Sequence, residues 1–371
     1  MKILADIHIP YLQGTTEQFG KVQYLPGNQF TKESIRDKET LIVRTVTHFN
    51  EEILSGSNVK LICSATIGYD HIDTVYCDAH NIAWRTAPGC NANSVEQYIT
   101  ASLLHLAEKF HFQLPDKTIG IVGVGNVGSK VAIACEKLGM RVLLNDPPRA
   151  EKEKNIHLFV DLETIKHDAD IITFHTPLTK SGKYKTHHLA DEAFFASVAK
   201  KPFIINASRG GVTSNEALKK AIREHKIAGA LLDCWENEPN IDTELLEMTE
   251  IATPHIAGYS ADGKWTATKM SLDNLNEFFG LCIKPKFQEI EKPLSPIIDL
   301  REISAEKQLS HAVWHTYNPM EETADLKASP EKFAWFRSHY NPYRREYHAY
   351  TVVNADPATE KLLEELGFKV G

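Results

Sequence analysis

The chain has 371 residues, 42% of them hydrophobic and 24% charged, and carries a formal net charge of −8 at pH 7. That length makes room for roughly two to three domains, and the composition excludes a disordered, collagen-like or disulfide-scaffold chain. The acidic balance offers no electrostatic footing for nucleic acid or an anionic membrane, so an anionic ligand has to be met by a few placed cations.

Short apolar runs alternate with helical patterns, which is the pattern of parallel α/β architecture. Residues 2–5, 22–25, 41–43, 59–64 and 82–84 are expected to be strands of a small doubly wound domain. The turn-rich segment Thr86-Ala87-Pro88-Gly89-Cys90-Asn91 then interrupts the series, and a long helix is expected over 95–112. A second series follows, with strands expected at 118–122, 140–145, 170–175, 203–206, 227–233 and 250–253. A further helix over 260–281, with Leu272, Leu275, Phe278 and Phe279 as its apolar positions, is expected to return to the first domain, and Pro285, Pro293 and Pro296 mark a linker. Beyond it, aromatics cluster at Phe333, Trp335, Phe336, Tyr340, Tyr343, Tyr347 and Tyr350, with a helix start at Ser329-Pro330-Glu331, a strand at 350–353 and a helix over 359–366 stopped by Gly367. The cluster reads either as the core of a small α+β domain or as a subunit interface. No apolar run reaches the length of a membrane span. The six cysteines contain no C-x-x-C pair, so free thiols in a reducing cytoplasm are expected, and no metal site.

The strongest local motif opens the second series. Thr118-Ile119-Gly120-Ile121-Val122 runs into Gly123-Val124-Gly125-Asn126-Val127-Gly128, followed by a helix with Val131, Cys135 and Leu138 on one face. The first glycine makes a tight turn, the second admits a pyrophosphate to the backbone, and the third lets helix and strand pack closely. The helix N-terminus then offers free N–H groups to phosphate. Asp146, at the end of the next strand, suits the adenine ribose hydroxyls and favours NAD over NADP, while nearby Arg149 argues mildly the other way.

Oxidising an alcohol beside a carboxylate calls for a base, a cation for the carboxylate, and a group that holds the base. Three successive strand ends offer them. Arg209, in Asn206-Ala207-Ser208-Arg209-Gly210-Gly211, has the planar fork for bidentate carboxylate binding. His255 is the natural proton carrier, and Glu238 is placed to bond its other ring nitrogen and fix the tautomer.

At these residues the chain resembles the NAD-dependent D-2-hydroxyacid dehydrogenases: the Gly123–Gly128 fingerprint, Asn206 to Gly210, Glu238-Pro239 and His255 follow in that family's order. The resemblance implies two Rossmann-like doubly wound parallel-sheet domains, one inserted in the other, plus a small α+β C-terminal dimerisation domain. The expected bounds are 1–90 with 260–285 for a flavodoxin-like substrate domain, 91–259 for the NAD domain and 286–371 for the dimerisation domain. It also implies that Arg209 binds carboxylate, His255 is the general acid/base and Glu238 assists it. The likeness is greatest to members acting on a small phosphorylated 2-hydroxy acid, in the stretches 43–47, 87–92, 145–149, 174–178, 184–186 and 255–259. By it, Thr45, Thr66 and Tyr259 touch substrate, and Gly123, Gly125, Asn126, Val127, Gly128, Asp146, Thr176, Asn206, Ala207, Ser208, Asp233 and Gly258 bind NAD. Ile67 and Tyr69 stand where smaller residues are usual.

A phosphorylated acid has two anionic ends, so Arg209 alone does not suffice. Arg44, beside Thr45 at a strand end, is the first candidate for the phosphate; Arg344 or Arg345, in the expected dimerisation domain, is the candidate to reach the partner's site. The expected assembly is a cytoplasmic homodimer with its site in the interdomain cleft. Two other readings stay open: another hydroxyacid dehydrogenase, such as one for 3-phosphoglycerate or a glyoxylate reductase, and a non-catalytic NAD-sensing binding protein.

Overall fold

Four-residue runs such as Thr40-Leu41-Ile42-Val43 and Phe203-Ile204-Ile205-Asn206 are buried along their whole length, as strands of a sheet covered on both faces must be. The computed structural model describes residues 1–153 and 158–371. Its chain divides into two units, residues 1–91 with 260–291 and residues 92–259 with 292–371.

In the first unit the strands are β1 (Lys2–Asp6), β2 (Lys21–Leu25), β3 (Thr40–Val43), β4 (Leu61–Ser64) and β5 (Ala83–Arg85), in the order β2-β1-β3-β4-β5. All four pairings are parallel. Alternate residues face opposite sides: Leu4, Leu41, Val43 and Ile62 join one apolar cluster, while Ile3, Ala5, Ile42, Leu61 and Cys63 join another. The helix Ala261–Phe279 supplies Leu272 and Leu275 to the second cluster. Its Ser260 cap accepts the Gly263 amide at 2.9 Å, and it stops at Gly280 in the left-handed region. The strand order reverses between β1 and β3, and ligand sites of open α/β sheets lie outside the carboxyl ends of the strands at such a point. Asp6 ends β1 there, and Arg44 follows β3.

In the second unit β6 (Thr118–Val122), β7 (Arg141–Asn145), β8 (Ile171–Phe174), β9 (Phe203–Asn206), β10 (Gly229–Leu232) and β11 (Ile251–Ala252) form an all-parallel sheet ordered β11-β10-β9-β8-β6-β7. The expected strands are all present, trimmed by a residue or two at their ends. Here the reversal lies between β6 and β8, beside the glycine turn. The helix Ala92–Phe110 is buried over most of its length, with Tyr98 wholly inside.

The C-terminal segment adds a third, three-stranded parallel sheet, β12 (Ile297–Asp299), β13 (Thr351–Val353) and β14 (Lys369–Val370), with helices Ala305–Thr316, Pro319–Ala328 and Pro357–Leu366. Ile298, Val313, Tyr347, Val352, Leu363 and Phe368 share one core with Tyr98, Val131 and Leu231. The sequence reading misses β12, β14 and the helices over 305–328, because strands of two or three residues leave no alternation to read. The aromatic cluster divides: Phe333, Tyr347 and Tyr350 are core residues, whereas Trp335 and Tyr343 are exposed. No helix among the described residues is long and apolar enough to cross a membrane.

This packing turns Arg344, one of the two arginines expected to reach a partner's site, into its own chain. Arg344 and Arg345 are 3% and 7% exposed. Arg344 donates to the carbonyls of Ser94, Ile256 and Ala257 and to the Gln97 side chain of its own chain, and lies 3.7 Å from the Tyr317 ring centroid. The Arg344 guanidinium is therefore committed within its own chain.

Candidate active site

The glycine turn has the steric form a dinucleotide requires. Gly123 has φ of +89°, and a Cβ there would meet the His175 carbonyl oxygen at 2.7 Å. At Gly128 a Cβ would stand 2.0 Å from the Gly123 carbonyl oxygen, whereas at Gly125 it would meet nothing within 4 Å. The first and third glycines are therefore dictated by the fold, and the second by space left for something else. Helix Asn126–Lys137 begins directly after it. The Thr176 hydroxyl oxygen, whose neighbouring methyl lies against Gly123, is buried without a partner among the described residues. An open cradle and an orphaned hydroxyl at one strand switch point fit a bound dinucleotide.

Asp146 closes the turn, accepting the Val124 amide at 2.8 Å and the Arg149 amide at 3.0 Å. Arg149 pairs with Glu153 at 2.7 Å and also donates to the Val124 carbonyl, so its guanidinium is engaged within the chain. After β9, Asn206 donates to the Arg209 carbonyl at 3.0 Å and accepts the Ser208 hydroxyl at 2.9 Å. These bonds fold the Asn206–Arg209 loop back on itself.

His255 and Glu238 meet directly: Nδ1 lies 2.8 Å from Oε2 and 3.1 Å from Oε1. Oε1 also accepts the Trp235 amide at 2.8 Å. Burial would raise the Glu238 carboxyl, but the His255 charge and hydrogen bond, the Trp235 amide and Arg337 outweigh it and hold it below the usual carboxylate range. His255 itself has φ of +58°, a left-handed conformation that a non-glycine residue keeps only when its surroundings over-determine it. They do so here. Asp233 Oδ1 accepts the Ile256 amide at 2.7 Å, the Ala257 amide at 3.0 Å and the Thr253 hydroxyl at 2.7 Å, while Arg344 holds the carbonyls of Ile256 and Ala257.

Arg209 donates to the Ser208 carbonyl at 2.8 Å, and the Cys234 thiol reaches the same oxygen at 3.3 Å. The Cys234 sulfur lies within 4.8 Å of a Glu238 carboxylate oxygen and a His255 ring nitrogen. The Ser208–Cys234 contact thus links the three sequence-predicted catalytic side chains within one unit. Tyr259 lies beside them, its hydroxyl accepting from Arg337 Nε at 3.2 Å.

The other expected substrate residues lie in the first unit. Arg44 pairs with the buried Asp6 through Nε at 2.9 Å and Nη2 at 3.3 Å, Thr45 is exposed in the turn after β3, and Thr66 bonds Ser64 at 2.7 Å and the Gly68 carbonyl at 3.1 Å. Tyr69 packs against Trp84 with ring centroids 5.1 Å apart and the planes tilted by 38°, and stays half exposed. Arg337 was missed by sequence reasoning; it sits in a short aromatic segment with no motif around it, nearly a hundred residues from its partners.

Fold and site together define a class, the nicotinamide-dependent 2-hydroxyacid dehydrogenases, and comparison with known proteins agrees. A family model described as D-isomer specific 2-hydroxyacid dehydrogenase, NAD binding domain, matches residues 91–257, and one described as a domain of unknown function (DUF3410) matches residues 290–367. Among solved structures, a D-lactate dehydrogenase from Aquifex aeolicus complexed with NAD and lactic acid matches with TM-score 0.60 and 22% identity over 76% of this chain and 96% of that one. A 3-phosphoglycerate dehydrogenase from Entamoeba histolytica matches with TM-score 0.64 and 24% identity over 76% and 96%. Full-length relatives are more particular. Proteins named erythronate-4-phosphate dehydrogenase are 51% identical in Bacteroides thetaiotaomicron, over 95% of this chain and 99% of the relative, and 42% identical in Porphyromonas gingivalis, over 99% and 100%. The chain belongs to the D-isomer specific 2-hydroxyacid dehydrogenase family, in the branch formed by these relatives, and is an NAD-dependent dehydrogenase.

Proposed function

We propose that the protein oxidises 4-phospho-D-erythronate at C2 to (R)-3-hydroxy-2-oxo-4-phosphooxybutanoate, a step in pyridoxal 5′-phosphate synthesis. The observation that carries this reading is the Glu238–His255 pair, joined to Arg209 through Cys234 and the Ser208 carbonyl, in a chain matched over 95% or more of its length by relatives of that name.

The glycine turn, Asp146, Thr176 and the loops at Asn206–Ser208, Asp233 and Gly258 would hold NAD, which would supply the hydride acceptor. Everything else falls to side chains. With Nδ1 donating to Glu238, His255 keeps Nε2 as an acceptor for the C2 hydroxyl proton. The carboxylate accepts that donation and favours the imidazolium that results. Arg209 takes the substrate carboxylate, which sets C2 against the base, and Tyr259 contacts a remaining hydroxyl; the family likeness assigns Thr45 and Thr66 to substrate as well. Arg44 spends Nε and Nη2 on Asp6 and offers Nη1 to the phosphate.

The assembly we propose is a cytoplasmic homodimer. The exposed apolar groups of the C-terminal segment, Leu294, Ile297, Trp335 and Tyr343, support association, and the free buried thiols Cys63, Cys77, Cys135 and Cys234 support a reducing compartment. Turnover of 4-phosphoerythronate, 3-phosphoglycerate and glycolate, each followed by NADH absorbance, is the test. The first substrate should give the highest kcat/KM; preference for either of the others would reject the assignment.

A further inference from the structure

We infer that Arg337, on the C-terminal segment, is a positioning residue for Glu238, so that the group governing proton transfer has three members, His255, Glu238 and Arg337; the inference rests on the roles given above to Glu238 and His255. Arg337 Nη1 lies 3.9 Å from Glu238 Oε2, the same oxygen that receives His255 Nδ1 at 2.8 Å. Its Nε donates to the Tyr259 hydroxyl at 3.2 Å. The side chain therefore bridges the carboxylate that orients the base and the tyrosine assigned to substrate.

The segment that carries it is anchored. Phe333 is 1% exposed and lies in one apolar cluster with Trp235 and Leu326, with Phe336 packed alongside. Trp235 is the residue whose amide holds the other Glu238 oxygen, so one patch of core sets the height of both the carboxylate and the guanidinium.

The charge arithmetic supplies the reason for a cation here. The groups facing Glu238 are His255, Arg337 and the Cys234 thiol, with Asp233 and Arg209 behind them. His255 is positive for only part of a catalytic cycle. In the remainder, a carboxylate that is 18% exposed would, if Arg337 were absent, lose the facing cation that this side chain provides among the described residues, and burial would favour its protonated form. A protonated Glu238 donates to Nδ1 instead of accepting from it, which moves the imidazole hydrogen to Nε2 and disables the base. A guanidinium does not deprotonate in proteins, so Arg337 supplies the permanent positive charge that a cycling histidine lacks.

The test follows the Glu238 carboxyl carbon directly. The full-length protein is labelled with carboxyl-13C glutamate, the resonance is assigned by its loss in Glu238→Gln, and its titration is compared in wild type, Arg337→Ala and Arg337→Lys. Arg337→Ala should move the titration upward and carry the acid limb of kcat with it, with kcat at neutral pH falling about tenfold. Arg337→Lys, which keeps the charge, should return both toward wild type. An unmoved Glu238 titration in Arg337→Ala overturns the inference, and so does a rise in KM alone, which would make Arg337 a substrate anchor. Should the alanine variant fail to fold, Arg337→Gln against Arg337→Lys decides the same question, since both keep a polar side chain and the lysine alone of the two keeps the positive charge. The underlying reading is checked apart: a His255→Asn protein that kept full turnover would refute it while leaving the Glu238 titration result intact.

Discussion

Arg344 donates to the carbonyl of Ile256 at 3.0 Å, and Ile256 directly follows the histidine that stands in a left-handed conformation. The neighbouring Ala257 carbonyl receives the same guanidinium at 3.1 Å, and Ser94, on the long helix, receives it at 2.7 Å. The C-terminal segment is thus a support for the catalytic loop of its own subunit. Replacing Arg344 by methionine strands three buried carbonyls, which should cost about 3 kcal/mol of stability. A lowered urea midpoint together with a reduced kcat is expected. Retained stability with a loss specific to substrate phosphate would contradict this structural role.

The Glu238–His255 hydrogen bond predicts different outcomes for its two partners. His255→Asn should abolish turnover while NAD still binds, as read by quenching of tryptophan fluorescence. Glu238→Gln keeps the shape and removes the charge, so kcat should fall about a hundredfold with NAD affinity unchanged. Because the folded-state carboxyl of Glu238 is held below its ordinary value, its stabilising contribution is complete above the ordinary glutamate range and disappears as pH falls through the depressed value. Acid unfolding should accordingly begin at higher pH in the glutamine variant.

The two outer glycines and the middle one of the turn should respond in opposite ways to an added methyl. At Gly128 the new carbon collides with backbone at 2.0 Å, so Gly128→Ala should lower the melting temperature of the protein without cofactor. At Gly125 there is open space, so Gly125→Ala should melt like wild type yet bind NAD about tenfold more weakly, the methyl occupying room the pyrophosphate needs. Equal NAD affinity in Gly125→Ala by calorimetry would place the cofactor elsewhere.

Glu96, buried in the long helix with one hydrogen bond from Thr100 at 2.9 Å, predicts a pH-dependent stability unrelated to catalysis. Burial pushes its carboxyl up to about 8, with Glu346 adding to the rise and Thr100 opposing it. A folded-state value above the unfolded one means that the stabilisation is fully present below the ordinary glutamate range and is lost as pH climbs through about 8. Melting temperatures of Glu96→Gln should therefore fall less than those of wild type between mildly acidic and mildly alkaline pH.

The parallel strands, the glycine turn and the placing of Arg209, Glu238 and His255 at strand ends were determined by the sequence alone. Those features are written in spacing between near neighbours: an apolar run of strand length, a G-x-G-x-x-G turn between strand and helix, polar groups immediately after buried strands. The short strands at Ile297–Asp299 and Lys369–Val370 were decided by tertiary structure, since they exist only because Thr351–Val353 lies between them and pairs with both. So were the tasks of Arg344 and Arg337. Both are arginines in an aromatic segment, equally suited by their chemistry to reaching outward or being enclosed. What settles them is where Ile256, Ala257, Glu238 and Tyr259 come to lie after a hundred residues of intervening chain have packed, and no local pattern of side chains encodes a meeting over that distance.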